Sequence, residues 1–156
     1  NKDLKYAYLI DKNPDSGFII ETVDGDGGAD VGRFCSIINV DAYGGSYISY
    51  RDDTNNSLKC ATNIYGGWTI EDVASNGEDN SITVDSRGKR HIAYYDLVDG
   101  NLKYATNKSG SWVVTTVDSE GIVGMYTSLA LNDTKGEVCI SYYDMTNGAI
   151  KLATYK

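Results

Sequence analysis

Apolar and polar positions alternate along this chain in short runs, and each run ends in a glycine, asparagine or aspartate. The clearest stretch reads SITVDS (Ser81–Ser86), HIAYYD (His91–Asp96), NLKYATN (Asn101–Asn107) and WVVTTVD (Trp112–Asp118). The breaks fall at Arg87-Gly88, Asp99–Asn101 and Ser109-Gly110. A period of two bounded by turn formers predicts strands joined by tight hairpins. The stretch therefore predicts an antiparallel meander of four strands, here termed a, b, c and d.

The same text returns along the chain. The strand b phrase occurs as ISYRD (Ile48–Asp52), IAYYD (Ile92–Asp96) and ISYYD (Ile140–Asp144). The strand c phrase occurs as LKYAY (Leu4–Tyr8), LKCAT (Leu58–Thr62), LKYAT (Leu102–Thr106) and IKLAT (Ile150–Thr154). Successive copies lie 44 to 54 residues apart, which predicts an array of one supersecondary unit. Strand b is apolar or aromatic at Ile92, Ala93, Tyr94 and Tyr95, so both faces of its sheet are expected to be covered. Four-stranded sheets stacked face to face at this period make a β-propeller, with a β-sandwich as the runner-up.

The strand order is out of phase with that unit: cd, abcd, abcd, abc. Residues 1–24 supply strands c and d, 36–74 and 81–119 are whole units, and 128–156 supply a, b and c. The expected fold is an all-β propeller segment that does not close a ring by itself. The chain opens at Asn1 without an initiator methionine, so a processed product or a piece of a longer protein is expected. The partners expected are further blades of the same protein or further copies of this chain.

Composition narrows the functional classes. The net charge of −8 argues against nucleic acid, which requires a basic face. No apolar run approaches the roughly 18 residues of a membrane helix. Seventeen glycines and a single proline suit many tight turns, and thirteen tyrosines suit half-buried strands. Cys35, Cys60 and Cys139 show no zinc or redox spacing, and Cys60, standing where other copies have Tyr, reads as a small buried hydrophobe.

The motifs HIAYYD (His91–Asp96), DGNLKYATN (Asp99–Asn107), GSW (Gly110–Trp112), GGW (Gly66–Trp68), VGMYTSL (Val123–Leu129) and VGRFCSI (Val31–Ile37) are spread along the chain. They resemble the repeats of bacterial and archaeal extracellular β-propellers, in the style of sialidase-like BNR repeats. That resemblance implies a secreted or surface protein, and some such relatives bind glycans. The sialidase Asp-box is absent, so sialidase activity is not implied.

Candidate chemistry falls in four places. Asp52 and Lys59, Asp96 and Lys103, and Asp144 and Lys151 keep a spacing of seven residues. They read as structural pairs across the b–c hairpin, backed by the turn-forming habit of Asp. Asp24, Asp26 and Asp30 on a glycine-rich loop are candidate calcium ligands, since alternate carboxylates on a bent loop supply several oxygens. The loop resembles those of FG-GAP-type propellers, although Thr22 replaces their preceding acid. Arg33, Phe34 and Tyr126 are candidate ligand-binding residues beside the innermost strands, in an element that the shorter middle loop (Ser75–Asn80) is expected to lack. His91 reads as a surface histidine, and Trp68 and Trp112 as packing at the c–d corner.

The leading expectation is a non-catalytic extracellular binding or scaffold module, with glycans as ligand. A fragment of a propeller glycoside hydrolase or polysaccharide lyase is the alternative. A structural subunit whose copies join edge to edge is the third. No catalytic residues are assigned.

Overall fold

The computed structural model describes residues 2–11, 13–25, 27–40 and 44–155. It is an all-β fold with thirteen strands among the described residues. They are β1 (Leu4–Leu9), β2 (Phe18–Asp24), β3 (Val31–Val40), β4 (Gly45–Asp52), β5 (Ser57–Thr62), β6 (Thr69–Ser75) and β7 (Gly77–Val84). Then follow β8 (Arg90–Asp96), β9 (Asn101–Thr106), β10 (Val113–Asp118), β11 (Val123–Asn132), β12 (Glu137–Asp144) and β13 (Ala149–Tyr155). A 3-10 turn at Pro14–Ser16 lies between β1 and β2.

The strands form four antiparallel sheets in chain order: β1-β2, β3-β4-β5-β6, β7-β8-β9-β10 and β11-β12-β13. The sheets do not close on themselves. Among the described residues no helix is long and apolar enough to cross a membrane. Strand a begins earlier than its alternation suggests: β3 starts at Val31, β7 at Gly77 and β11 at Val123. The reason is a bulge, described below, which breaks the period of two inside a continuous strand.

Three apolar clusters hold the four sheets together, one at each junction. Leu4 and Val23 of the first sheet meet Val31, Ile48, Tyr50 and Ala61 of the second. Tyr47, Leu58, Cys60 and Val73 of the second meet Ile82, Ile92, Tyr94 and Ala105 of the third. Ala93 and Leu102 of the third meet Val123, Leu129, Val138, Ile140 and Tyr142 of the fourth. Both faces of each four-stranded sheet are thus covered, which is why β4 and β8 are almost uniformly buried. Each fully buried aliphatic side chain here contributes roughly 1.5–3 kcal/mol.

The second and third sheets each have a successor, and their strand a hydroxyls reach it. The Ile82 amide donates to Ser36 Oγ at 3.3 Å, and the Leu129 amide to Ser81 Oγ at 3.1 Å. These bonds lay β3, β7 and β11 side by side.

Candidate functional site

One device recurs in β3, β7 and β11, the strands of type a. Between Arg33 and Ser36, between Glu78 and Ser81, and between Met125 and Ser128, the pairing with strand b slips. Two residues then face one tyrosine of strand b: Phe34 and Cys35 face Tyr50, Asp79 and Asn80 face Tyr94, Tyr126 and Thr127 face Tyr142. The first residue of each pair sits at positive φ: 51° at Phe34, 44° at Asp79 and 54° at Tyr126. Such values are uncommon for side chains larger than glycine and are held only where the surroundings enforce them.

Because β3, β7 and β11 lie side by side, the three bulges meet. Phe34, Cys35, Asp79, Asn80, Tyr126 and Thr127 line one open pocket of about 190 Å³. The middle strand therefore does carry this element, with Asp79 in the place of the two aromatics. Its chemistry hid the match: NGEDN shares no aromatic with VGRFC or VGMYT. The polar groups knit the bulges together. Asn80 Nδ2 donates to the Phe34 carbonyl at 2.6 Å, and the Asn80 oxygen accepts from Ser49 Oγ. The Tyr126 amide donates to Asp79 Oδ2 at 3.2 Å, and Thr127 Oγ1 donates to the Asp79 carbonyl. Tyr126 stands exposed at the rim with Tyr143 at 6.2 Å between ring centroids. Arg33 does not line the pocket: it pairs with Asp53 at 3.2 Å, and its guanidinium lies 4.9 Å from the Phe34 ring centre.

The Asp and Lys of the repeat lie in contact in all three hairpins. Lys59 is 2.6 Å from Asp52, Lys103 is 2.7 Å from Asp96 and Lys151 is 3.2 Å from Asp144. Each Asp also closes its own turn: the amides of Asn55 and Asn147 donate to Asp52 and Asp144, and those of Val98 and Asp99 to Asp96. Burial disfavours the charge of Asp52 and Asp96, but the lysine and the turn amides outweigh it and hold both carboxyls below the usual range. At Asp144 the Asn147 side chain and amide act first and Lys151 adds to them.

A second carboxylate joins two of these pairs from the preceding sheet. Each c–d pairing skips one valine, Val23, Val73 or Val117, and so turns the next residue of strand d toward the following sheet. At the first junction that residue is Asp24, which accepts from Tyr50 Oη at 2.7 Å with Lys59 at 3.8 Å. At the third it is Asp118, which accepts from Tyr142 Oη at 2.7 Å and Lys151 at 2.9 Å. Burial opposes ionisation of Asp118, yet the Glu120 amide, Lys151 and Tyr142 hold its carboxyl down at about 2. Burial and this carboxylate push the Tyr142 hydroxyl up to about 12.

Asp24 is thus engaged with a tyrosine and a lysine, and Asp30 with Lys2. Asp26 lies outside the described residues. Among the described residues no three metal-ligating side chains gather.

His91 departs from the expectation of a surface residue: it is 1% exposed. It sits on strand b. Its Nδ1 contacts Tyr104 Oη, and its Nε2 lies 3.7 Å from Asp85 without a hydrogen bond. Burial lowers its pKa against the pull of Asp85. The tryptophans reach back to the preceding sheet: Trp68 Nε1 donates to Glu21 at 2.8 Å and Trp112 Nε1 to Glu71 at 3.1 Å.

No family model matches the chain, and a search of curated proteins finds no match.

Proposed function

We propose that the four sheets are successive blades of a propeller-type stack, and that the chain is a non-catalytic, extracellular binding module. The observation that carries this reading is the pocket made by three equivalent bulges. It is built from repeated positions, yet its lining differs from sheet to sheet: an aromatic ring on either side and a carboxylate between them. A scaffold needs the bulges; it does not need Phe34, Asp79 and Tyr126 to differ.

A sugar suits that lining. Ring C–H faces pack on aromatic rings, and hydroxyls donate to a carboxylate or exchange bonds with a threonine. The lining residues include one carboxylate, Asp79. A glycoside hydrolase of the usual kind needs two, flanking the scissile bond, so the pocket favours binding over hydrolysis. Calcium does not enter this reading, which rests on the pocket alone.

A glycan array followed by titration calorimetry tests it. At least one glycan should bind, and Tyr126→Ala and Phe34→Ala should each weaken it about tenfold or more with the melting temperature unchanged. A blank array, or binding indifferent to both substitutions, would overturn the reading.

A further inference from the structure

We infer that the outer face of β11–β13 is a docking face for one further sheet of this same repeat, which lays a glycine-bearing strand across Ile150. The three junctions inside the chain define the occupant position by position. At each, a strand a glycine lies on the strand c apolar residue of the preceding sheet. A Cβ on Gly32 would stand 2.9 Å from the Leu4 Cα, one on Gly77 2.8 Å from the Leu58 Cβ, and one on Gly124 2.7 Å from the Leu102 Cα. Leu58 and Leu102 are 0% exposed in consequence. Ile150 is the next member of that series, and it is 76% exposed.

The hydrogen bonds form parallel series. The amide before each glycine donates to the residue two before the leucine: Val31 to Lys2, Asn76 to Asn56 and Val123 to Gly100, at 2.8–2.9 Å. The next acceptor is the Gly148 carbonyl. Ser36 Oγ and Ser81 Oγ each accept an amide from the following strand a, and the next is Ser128. Among the described residues no amide of another sheet reaches either group. The side chains agree: Tyr47 and His91 are buried at 3% and 1%, whereas their counterpart Cys139 is only partly covered.

A second copy of this chain does not fit the face. Its β3, β7 and β11 are each already seated on a preceding sheet, and its first sheet turns outward only strands c and d, with Phe18 and Ile20 exposed. The occupant is therefore a sheet of this repeat whose glycine strand is still unseated. This docking does not depend on what the bulge pocket binds.

Cys139 provides the readout. The chain is lengthened after Lys156 by a copy of residues 109–156, with Ser replacing the copy's own counterpart of Cys139. That copy brings a strand d for β13 and then a glycine strand for Ile150. Thiol labelling with peptide mapping compares Cys139 with exposed Cys35. In the 156-residue chain both should label; in the lengthened chain Cys139 should label at least about tenfold more slowly, as residues do that react only through opening. Replacing the copy's counterpart of Gly124 by Val should restore the rate while leaving the added strand d. Unchanged labelling, or a lengthened chain that gains no strand content, would overturn the inference. So would protection of Cys139 in the 156-residue chain that rises with concentration, which assigns the face to a second copy. Ile150→Asp in the 156-residue chain should leave its melting temperature within about 2 °C; a larger fall would show that Ile150 is already packed.

Discussion

The first and third junctions share a strand d carboxylate that the second lacks. Asp24 and Asp118 each accept from a buried tyrosine hydroxyl and attract the lysine of the next strand c. At the second junction the same place holds Ala74, packed against the apolar cluster. Tyr94 therefore meets no strand d carboxylate there, and Lys103 turns to Asp96 and Asp99 of its own hairpin. Opposite charges cross this junction elsewhere, from Arg51 to Glu78 and from Arg90 to Glu71. The same backbone frame thus supports two electrostatic solutions. The bulge at the skipped valine is common to all three junctions; the carboxylate it aims is not.

The largest effect is expected from removing that carboxylate where it is used. Asp118→Ala leaves the Tyr142 hydroxyl without its acceptor and Lys151 with Asp144 alone. Urea denaturation should show a loss of about 2–3 kcal/mol. A loss below about 0.5 kcal/mol would mean that the outer junctions owe nothing to the carboxylate and that the second is their equal.

Acid should separate the junctions next. The folded pKa of Asp118 lies at about 2, below its ordinary 3.8. A depressed carboxyl contributes stability that is complete above the unfolded value and is lost as pH falls through the folded one. Its window is therefore pH 4 down to pH 2. Asp118→Asn should remove on the order of 1–2 kcal/mol of the acid-induced loss over that range. Asp52, Asp96 and Asp144 titrate in the same direction and should leave the remainder. A variant whose stability falls as steeply as the parent's would contradict the assignment.

Deleting single hydroxyls reads the comparison more finely. Tyr142→Phe and Tyr50→Phe each break one charge-assisted bond and should cost about 1–2 kcal/mol. Tyr94→Phe breaks no bond to a carboxylate and should change stability by less than about 0.5 kcal/mol. Equal losses at all three positions would remove the distinction between the junctions.

How much of this was legible beforehand follows from what repeats. Strand types, hairpins and the partition of the chain into four sheets could be read from the phrases ending in Asp52, Asp96 and Asp144, because turn residues and alternation are local signals. The bulges were not legible. A bulge inserts one residue into an otherwise regular strand, and at Glu78–Asn80 its residues look like a polar loop. Phe34 and Tyr126 match as aromatics in the sequence, while Asp79, their equal in backbone and place, shares no chemistry with them. The Asp–Lys spacing was visible, but the second carboxylate at Lys59 and Lys151 comes from the preceding sheet. His91 is hidden for a related reason: it opens strand b beside the polar residues Arg87–Arg90, and its burial comes from contacts that only the fold makes, Tyr104 among them.

The smallest effect, and the closest test of the comparison, is to give the second junction what it lacks. Leu58 pairs with Ala74 as Leu4 pairs with Asp24 and Leu102 with Asp118, so Ala74→Asp places a carboxylate on the same bulge, aimed at Tyr94. A new hydrogen bond to that hydroxyl is worth about 1 kcal/mol. Against it stand the desolvation of the carboxylate among the apolar side chains around Ala74 and the commitment of Lys103 to Asp96 and Asp99. The two should nearly cancel, leaving a net change within about 1 kcal/mol of zero. The informative quantity is the coupling. In a double-mutant cycle with Tyr94→Phe, Ala74→Asp should show a favourable interaction of at least about 0.5 kcal/mol. A coupling near zero would mean that the skipped valine does not by itself aim strand d at the next sheet, and that the first and third junctions depend on lysines free of a hairpin partner like Asp99.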